Sequence, residues 1–358
     1  MIYTLGRSIQ RIERIQMEMA TGRRVLRPSD DPPGTIRILS FRRQLEDNGV
    51  FQRNIDDGLR WNTATEAALS EVMESLMQLK EIATRAANDA TMALPESGFS
   101  VDELLNSLLD TGRTRLDHRY LFSGFNSHTA PFEASDGVTG DAFTAGAVGS
   151  AVDLRYARIE AGSLVITDQT GGTTFVEGAD YTVDYDTGRV TLTAGSGMSE
   201  GTTYLADYTT EGTSSVTVAD SIEGSIVRRI GPESTVAVNL LATEVFQDGA
   251  DVFQLAIDLK NALYRDDAGA VNGLLDSVDQ AIQHVGELLG VVGSRAQRLE
   301  NALGSLQSHQ IALEAFISGI EDVDLPSAVV RLQSEQVAYE TALSVAARLM
   351  NISLVDYL

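Results

Sequence analysis

Residues 271–320, VNGLLDSVDQAIQHVGELLGVVGSRAQRLENALGSLQSHQIALEAFISGI, hold the pattern that decides the fold. Alternate steps of four and three from Val271 land on Leu275, Val278, Ile282, Val285, Leu289, Val292, Ala296, Leu299, Leu303, Leu306, Gln310, Leu313, Ile317 and Ile320. Thirteen of these fifteen positions are aliphatics larger than Ala. A repeat of 3.5 residues held in one phase for this distance predicts a single coiled-coil helix of about 50 residues with a left-handed supercoil. A helix with one apolar seam needs a partner to cover it.

The flanking sequence offers such partners. After the break at Asp324-Leu325-Pro326-Ser327, the spacing resumes through Val329, Leu332, Gln336, Tyr339, Leu343, Ala346 and Met350. Near the start, Ile2, Leu5, Ile9, Ile12, Gln16 and Met19 form a shorter seam that Gly22 ends. Leu69, Val72, Leu76, Leu79, Ala83 and Ala86 form another, and a weaker helical stretch covers 101–119 through Val101, Leu105, Leu108 and Leu116. Seams at both chain ends imply that the ends pair. Arg7, Arg11 and Arg14 on the first helix would favour that pairing with an acidic C-terminal part, each exposed pair contributing little by itself.

Between the helical parts the composition changes. Residues 132–247 hold 15 of the 31 glycines, with much Thr, Val, Asp and Tyr, which suits short strands and turns. Tyr181–Tyr185 and Arg189–Thr193 alternate around Asp186-Thr187-Gly188, a hairpin signal in which Gly188 supplies a positive φ. Further strands are expected at 163–167, 173–176, 204–208 and 215–218. The expectation is a mainly α chain with an inserted β domain and long antiparallel coiled-coil helices from both ends. The N-terminal arm would span 1–131, the outward-facing insert 132–247 and the C-terminal arm 248–358.

Composition excludes several functions. There is no cysteine, hence no disulfide framework, no Cys-ligated metal and no thiol nucleophile. Against 27 Lys and Arg stand 51 Asp and Glu, a formal charge of −24, which disfavours nucleic acid and anionic membranes as partners. No apolar run is long enough to insert in a membrane, and the first twenty residues alternate helically instead of resembling a signal peptide. The four histidines, His118, His128, His284 and His309, never stand three or four apart on one helix, and the phosphate-loop, dinucleotide and nucleophile-elbow motifs are absent. Asp30-Asp31, Asp56-Asp57 and Asp266-Asp267 are adjacent pairs, and adjacent helical residues diverge. At the first of them, capping by Ser29 or Asp31 is the stronger reading. No catalytic residue, metal ligand or cofactor is expected. A metal-binding or enzymatic module in the insert is the remote alternative.

Three short motifs carry more. Thr21-Gly22-Arg23-Arg24-Val25-Leu26-Arg27-Pro28-Ser29-Asp30-Asp31-Pro32 closely resembles the S-T-G-K-R-V-x-x-P-S-D-D-P element of the flagellar hook-associated protein 3 family, the FlgL-type hook-filament junction proteins related to flagellin. Tyr120-Leu121-Phe122-Ser123-Gly124, followed by Thr129-Ala130-Pro131-Phe132, is similar to that family's Y-[IL]-F-[SA]-G…T-x-P-F signature. Gln336, Tyr339, Ala342, Leu343 and the closing Ser353-Leu354-Val355-Asp356-Tyr357-Leu358 resemble its tail. The resemblance covers 1–132 and roughly 245–358; the stretch before the first motif is shorter than the family's usual one.

The resemblance implies a structural protein of the bacterial flagellum. It would be secreted through the flagellar type III apparatus without a cleaved signal peptide, with an export chaperone during secretion. It would assemble with itself as a ring, between the first hook-associated junction protein and flagellin. Leu5, Ile9, Ile12, Met19, Val329, Leu332, Tyr339, Leu343 and Met350 are the expected assembly residues. Flagellin itself and the first junction protein share the helical plan and remain open alternatives.

Overall fold

The computed structural model describes residues 2–88, 94–220 and 222–355. Its helices are α1 (Ile2–Thr21), α2 (Pro32–Asn88), α3 (Leu94–Gly112), α4 (Ala242–Phe246), α5 (Val252–Tyr264), α6 (Ala268–Glu321) and α7 (Leu325–Val355). Contacts divide the chain into two compact units, one made of 1–54 with 301–358 and the other of 55–300.

The heptad helix is real and is α6. In the larger unit Val271, Val278, Val285, Val292 and Leu299, every seventh residue, are fully buried. The seam expected over 69–86 is buried throughout. The same four-three spacing continues back along α2 through Thr65, Asn62, Gly58, Ile55, Phe51 and Asn48, all buried. Polar residues or glycine at four of those six positions hid this extension in the sequence. Each has a physical reason where it lies in the larger unit. Asn62 donates Nδ2 to the Val292 carbonyl at 2.7 Å, Thr65 turns its hydroxyl to the Trp61 carbonyl at 2.9 Å, and a Cβ at Gly58 would stand 3.2 Å from Val238.

One helical expectation is corrected. Over 101–119 the helix stops at Gly112, and Arg115–Leu116 pairs antiparallel with Arg119–Tyr120. Asp117 and His118 both take positive φ, 49° and 65°, as a two-residue hairpin turn requires. A side chain at Gly112, the last residue of α3, would collide with the Phe132 ring. Val101, Leu105 and Leu108 are fully buried, whereas Leu116 sits half-buried in the hairpin.

The six expected strands form, at 165–168, 174–175, 181–184, 189–192, 203–209 and 215–218, while those at 132–135, 137–144, 151–153, 227–229 and 235–237 lie outside the expectation. Tyr181–Asp184 pairs with Arg189–Leu192, Tyr181 opposite Leu192, and Gly188 has φ +69° beneath the Tyr156 carbonyl. Ala151–Asp153 completes that three-stranded sheet. A four-stranded sheet runs in the order 137–144, 203–209, 165–168 and 174–175, while Phe132–Ser135 pairs with Ser215–Val218 and Val227–Arg229 with Thr235–Ala237. Burial pushes the Tyr181 phenol up to about 12, and burial also raises Tyr208, whose hydroxyl donates to Asp141 at 2.7 Å.

Phe122, Phe132, Phe246 and Phe253 form an aromatic cluster with centroids 4.7–5.7 Å apart, tying the strands to α4 and α5. Beside it the buried Lys260 ammonium donates to Asp102 and to the Thr213 carbonyl, both at 2.8 Å. Of the other singled-out acidic pairs, Asp57 binds Arg228 at 2.7 Å, and Asp267 caps α6 by accepting from the Ala270 amide at 2.9 Å. His284 contacts the Glu244 carbonyl at 2.7 Å.

In the smaller unit α1 and α7 lie antiparallel. Arg11 meets Glu335 at 3.0 Å, and Arg331 approaches Glu18 at 3.7 Å. The half-buried or buried line of α7 runs through Ala328, Leu332, Glu335, Tyr339, Ala342 and Ala346, so the expected seam loses Val329, Gln336 and Leu343 to their preceding neighbours. Small side chains at 328, 342 and 346 let the helices approach closely. On α1 the covered line is Leu5, Ser8, Ile12, Ile15 and Glu18 or Met19, with Ile9 left exposed. Here too Phe41 stacks on Phe316 at 5.7 Å, and the Asn48 amide meets His309 at 3.2 Å.

Candidate assembly joint at the paired chain ends

The loop between α1 and α2 is the first motif, and the structure shows what its residues do. Gly22 takes φ +71° and ends α1, and its carbonyl accepts from the Val323 amide at 2.9 Å. The Arg24 amide donates to the Glu321 carbonyl at 2.6 Å, and the Arg24 guanidinium to the Ile320 carbonyl at 2.7 Å. Arg23 and Asp322 form a short antiparallel bridge. The loop is thus stitched along the turn between α6 and α7.

Glu321 is the pin of that stitch. It is 6% exposed, accepts from Arg42 on both carboxylate oxygens at 2.7 and 2.9 Å, and meets Arg23 at 3.1 Å. A buried carboxylate is tolerated only when its charge is matched and its lone pairs filled. Sequence reasoning missed both Glu321 and Arg42. The signal available was the acidic residue placed just before the α6–α7 break.

The acidic pair in the motif divides its labour. Asp30 folds the loop back on itself, one oxygen accepting from the Leu26 and Arg27 amides at 3.2 and 2.8 Å, the other facing Arg14 at 3.3 Å. Asp31 caps α2, accepting from the Gly34 amide at 2.9 Å, and a side chain at Gly34 would strike that carboxylate. Pro32 then opens the helix, where its missing N–H costs nothing. The cap is therefore Asp31; Val25 is half-buried, and Pro28 and Ser29 stay exposed.

The second motif is core of the larger unit. Leu121, Phe122 and Ser123 are fully buried, and Gly124 has φ +57° pressed against the Glu223 carbonyl, where any side chain would clash. Ser123 donates its hydroxyl to the Thr129 carbonyl at 2.8 Å, and the Ala219 amide donates to the Pro131 carbonyl at 3.1 Å. Tyr120 accepts from Arg115, whose guanidinium also covers its ring at 4.1 Å.

The expected assembly residues divide. Leu5, Ile12, Met19, Leu332 and Tyr339 are half-buried within the smaller unit, while Ile9, Val329 and Leu343 are exposed. The Met350 side chain and residues 356–358 of the tail motif lie outside the described residues. Among the described residues no three His, Asp or Glu side chains gather as a metal site, and no helix is long and apolar enough to cross a membrane. What this joint offers is mechanical: a charged clamp around paired helices.

Comparison with known proteins agrees with this anatomy. Residues 2–127 match the bacterial flagellin N-terminal helical region and 275–358 the flagellin C-terminal helical region. Residues 121–223 match a family described as a protein of unknown function. Flagellar hook-associated protein 3 of Escherichia coli (strain K12) is 29% identical over 127 residues, 34% of this chain and 39% of that protein, so the match spans about two-fifths of that relative. Flagellin of Clostridium tyrobutyricum is 22% identical over 361 residues, covering 92% of this chain and 91% of its own. A solved chain from Vibrio parahaemolyticus, described as a flagellar hook-associated protein, shares the fold with a TM-score of 0.55 at 15% identity, over 82% of this chain and all of that one. The chain belongs to the bacterial flagellin family, whose N-terminal and C-terminal helical regions together match more than half of it.

Proposed function

We propose that this protein joins the flagellar hook to the flagellin filament, assembling with copies of itself between the first hook-associated junction protein and flagellin. The observation that carries the reading is the poverty of the smaller unit's core. Its 112 residues bury only five hydrophobic side chains among those described: Ile15, Ile38, Phe51, Leu313 and Ala328. Ile36, Leu39, Ile311, Val330 and Val337 are meanwhile more than half exposed. Paired helices with apolar outer faces gain stability when copies pack side by side, association supplying what internal burial does not. The part expected to face outward is the insert at 132–247, and no catalytic role is assigned to it. Export through the flagellar type III route, with a chaperone on the way, fits a chain that contains no thiol to form a disulfide in transit.

Complementation tests the reading. Expression in a strain lacking its hook-filament junction protein is expected to restore filaments and swimming, and expression in a strain lacking flagellin is not. Rescue of the flagellin-less strain alone, with long filaments of this chain, would assign it to flagellin instead.

A further inference from the structure

Between α1 and α7 of the smaller unit lies an open groove of about 750 Å³, in which Ile15 of α1 and Val330 of α7 supply apolar surface. Four arginines stand around it, Arg11 and Arg14 on α1, Arg24 on the motif loop and Arg331 on α7, against two glutamates, Glu18 and Glu335. The two signs of charge lie at different depths. Glu18 and Glu335 are 6% and 26% exposed, with one carboxylate oxygen of each fully buried, whereas the four arginine side chains are 47–53% exposed. The carboxylates lie beneath, and a molecule entering the groove meets guanidinium.

That guanidinium charge is only partly engaged. Arg11 and Arg14 are anchored through Nε, on Glu335 at 3.0 Å and on Glu18 at 3.2 Å. Asp30 faces Arg14 at 3.3 Å and Asp31 stands 3.6 Å from Arg24, both longer than a charge-assisted hydrogen bond. Arg331 stops 3.7 Å from Glu18 and donates no hydrogen bond among the described residues. Its planar fork is shaped to take a carboxylate by two parallel N–H···O bonds, a stronger contact than the pairing it has. A groove between antiparallel helices with apolar surface and guanidinium along its edges is the complement of a helix whose aliphatic stripe is flanked by Asp or Glu. A basic helix would be repelled by the same four groups, and a purely apolar one would leave them without partners.

We propose that the α1–α7 groove docks an acidic amphipathic helix of a partner protein, with Arg331 and Arg24 taking its carboxylates and Val330 meeting its aliphatic stripe. The contact does not depend on the junction role above. The probe is a labelled synthetic helix of about 18 residues, with leucine along one stripe, glutamate beside it and alanine elsewhere, and its twin with lysine in place of glutamate. Each is titrated with the full-length chain at low salt and followed by fluorescence anisotropy. The glutamate helix is expected to bind, more weakly as salt rises, and the lysine helix is not. Arg331→Ala, which breaks no hydrogen bond, and Val330→Glu, which sets a like charge in the groove, should each weaken binding about tenfold or more, while Arg43→Ala, at an exposed position on α2, leaves it unchanged. Unchanged circular dichroism shows that the variants stay folded. Equal binding of the two helices, no binding of either, or full binding by Val330→Glu overturns the proposal. Self-association of the chain, seen by sedimentation and abolished by Val330→Glu while neither helix binds, would give the groove to a second copy and overturns the separate partner.

Discussion

The two units of this chain are built by different means. The larger one buries an aromatic cluster and two long helical seams, and its residues carry 15 basic against 38 acidic side chains. The smaller one buries five hydrophobics among its described residues and is nearly neutral, with 12 basic and 13 acidic side chains. Its order comes from arginine–carboxylate clamps such as Arg42–Glu321 and from backbone pairing of the Gly22–Arg24 loop with Glu321–Val323. The difference teaches that one part is held by its own burial while the other leaves Ile36, Leu39, Ile311, Val330 and Val337 largely uncovered and relies on charged clamps. It also places nearly all the negative charge on the part that does not hold the chain ends, so like-charged units repel while neutral ones associate.

The contrast breaks most readily at the aromatic cluster. Phe246→Ala should cost about 3–5 kcal/mol of the larger unit's stability. Urea denaturation followed by tryptophan fluorescence reads this directly, since the single Trp61 lies in that unit. A loss below about 1 kcal/mol would mean that the cluster is not what holds the strands to α4 and α5.

Glu321→Ala should cost the smaller unit about 1–2 kcal/mol, because it strips Arg42 and Arg23 of a shared buried partner while both arginines remain half in water. Trypsin is the sensitive probe. In the parent protein, cleavage is expected first at the arginines of 1–54 and at Arg331, sparing 55–300, and in the variant that first cleavage speeds up several-fold. Equal protection of both units would erase the contrast.

Asp31→Ala removes the cap of α2 and should cost about 1 kcal/mol, with Asp31→Asn retaining most of it. Hydrogen exchange at Gly34 and Thr35 localises the effect.

The smallest effect at neutral pH, and none at all there, belongs to the buried tyrosines. Unfolded tyrosines ionise near 10, whereas burial holds Tyr181 to about 12 and raises Tyr208 as well. The folded state therefore keeps protons that the unfolded state loses. Stability is intact below pH 10 and falls as pH rises from there toward 12. Phenolate absorbance should show these groups titrating together with unfolding of the larger unit, and independent titration near pH 10 would contradict their burial.

Much of this architecture was legible from one-dimensional pattern. Where apolar residues kept strict spacing, as from Val271 to Ile320 or at Leu69–Ala86, helix and buried face were readable together, because period and burial have the same cause. The hairpin at 181–193 was readable because Gly188 and the alternation around it allow few other conformations. The first two-thirds of α2 were not, since Asn48, Gly58, Asn62 and Thr65 occupy seam positions and break the hydrophobic count. Their suitability depends on a particular carbonyl or side chain across the interface. The need for glycine at 112 was hidden for a related reason: it lies against Phe132, twenty residues away.

The sequence by itself determined the order of helical arm, strand-rich insert and helical arm, the pairing of the chain ends, the absence of thiol chemistry and the three motifs that place the chain in its family. Those features follow from local spacing and composition. Only the tertiary structure decided that Glu321 pins the motif loop and that α7 turns Ala328, Glu335 and Ala342 inward instead of Val329, Gln336 and Leu343. The expected and observed α7 lines share Leu332, Tyr339 and Ala346, so they differ by a partial rotation of the helix, and the choice falls to whichever side chains let the partner approach. A buried charge likewise has meaning only once the chain brings its distant partner within reach.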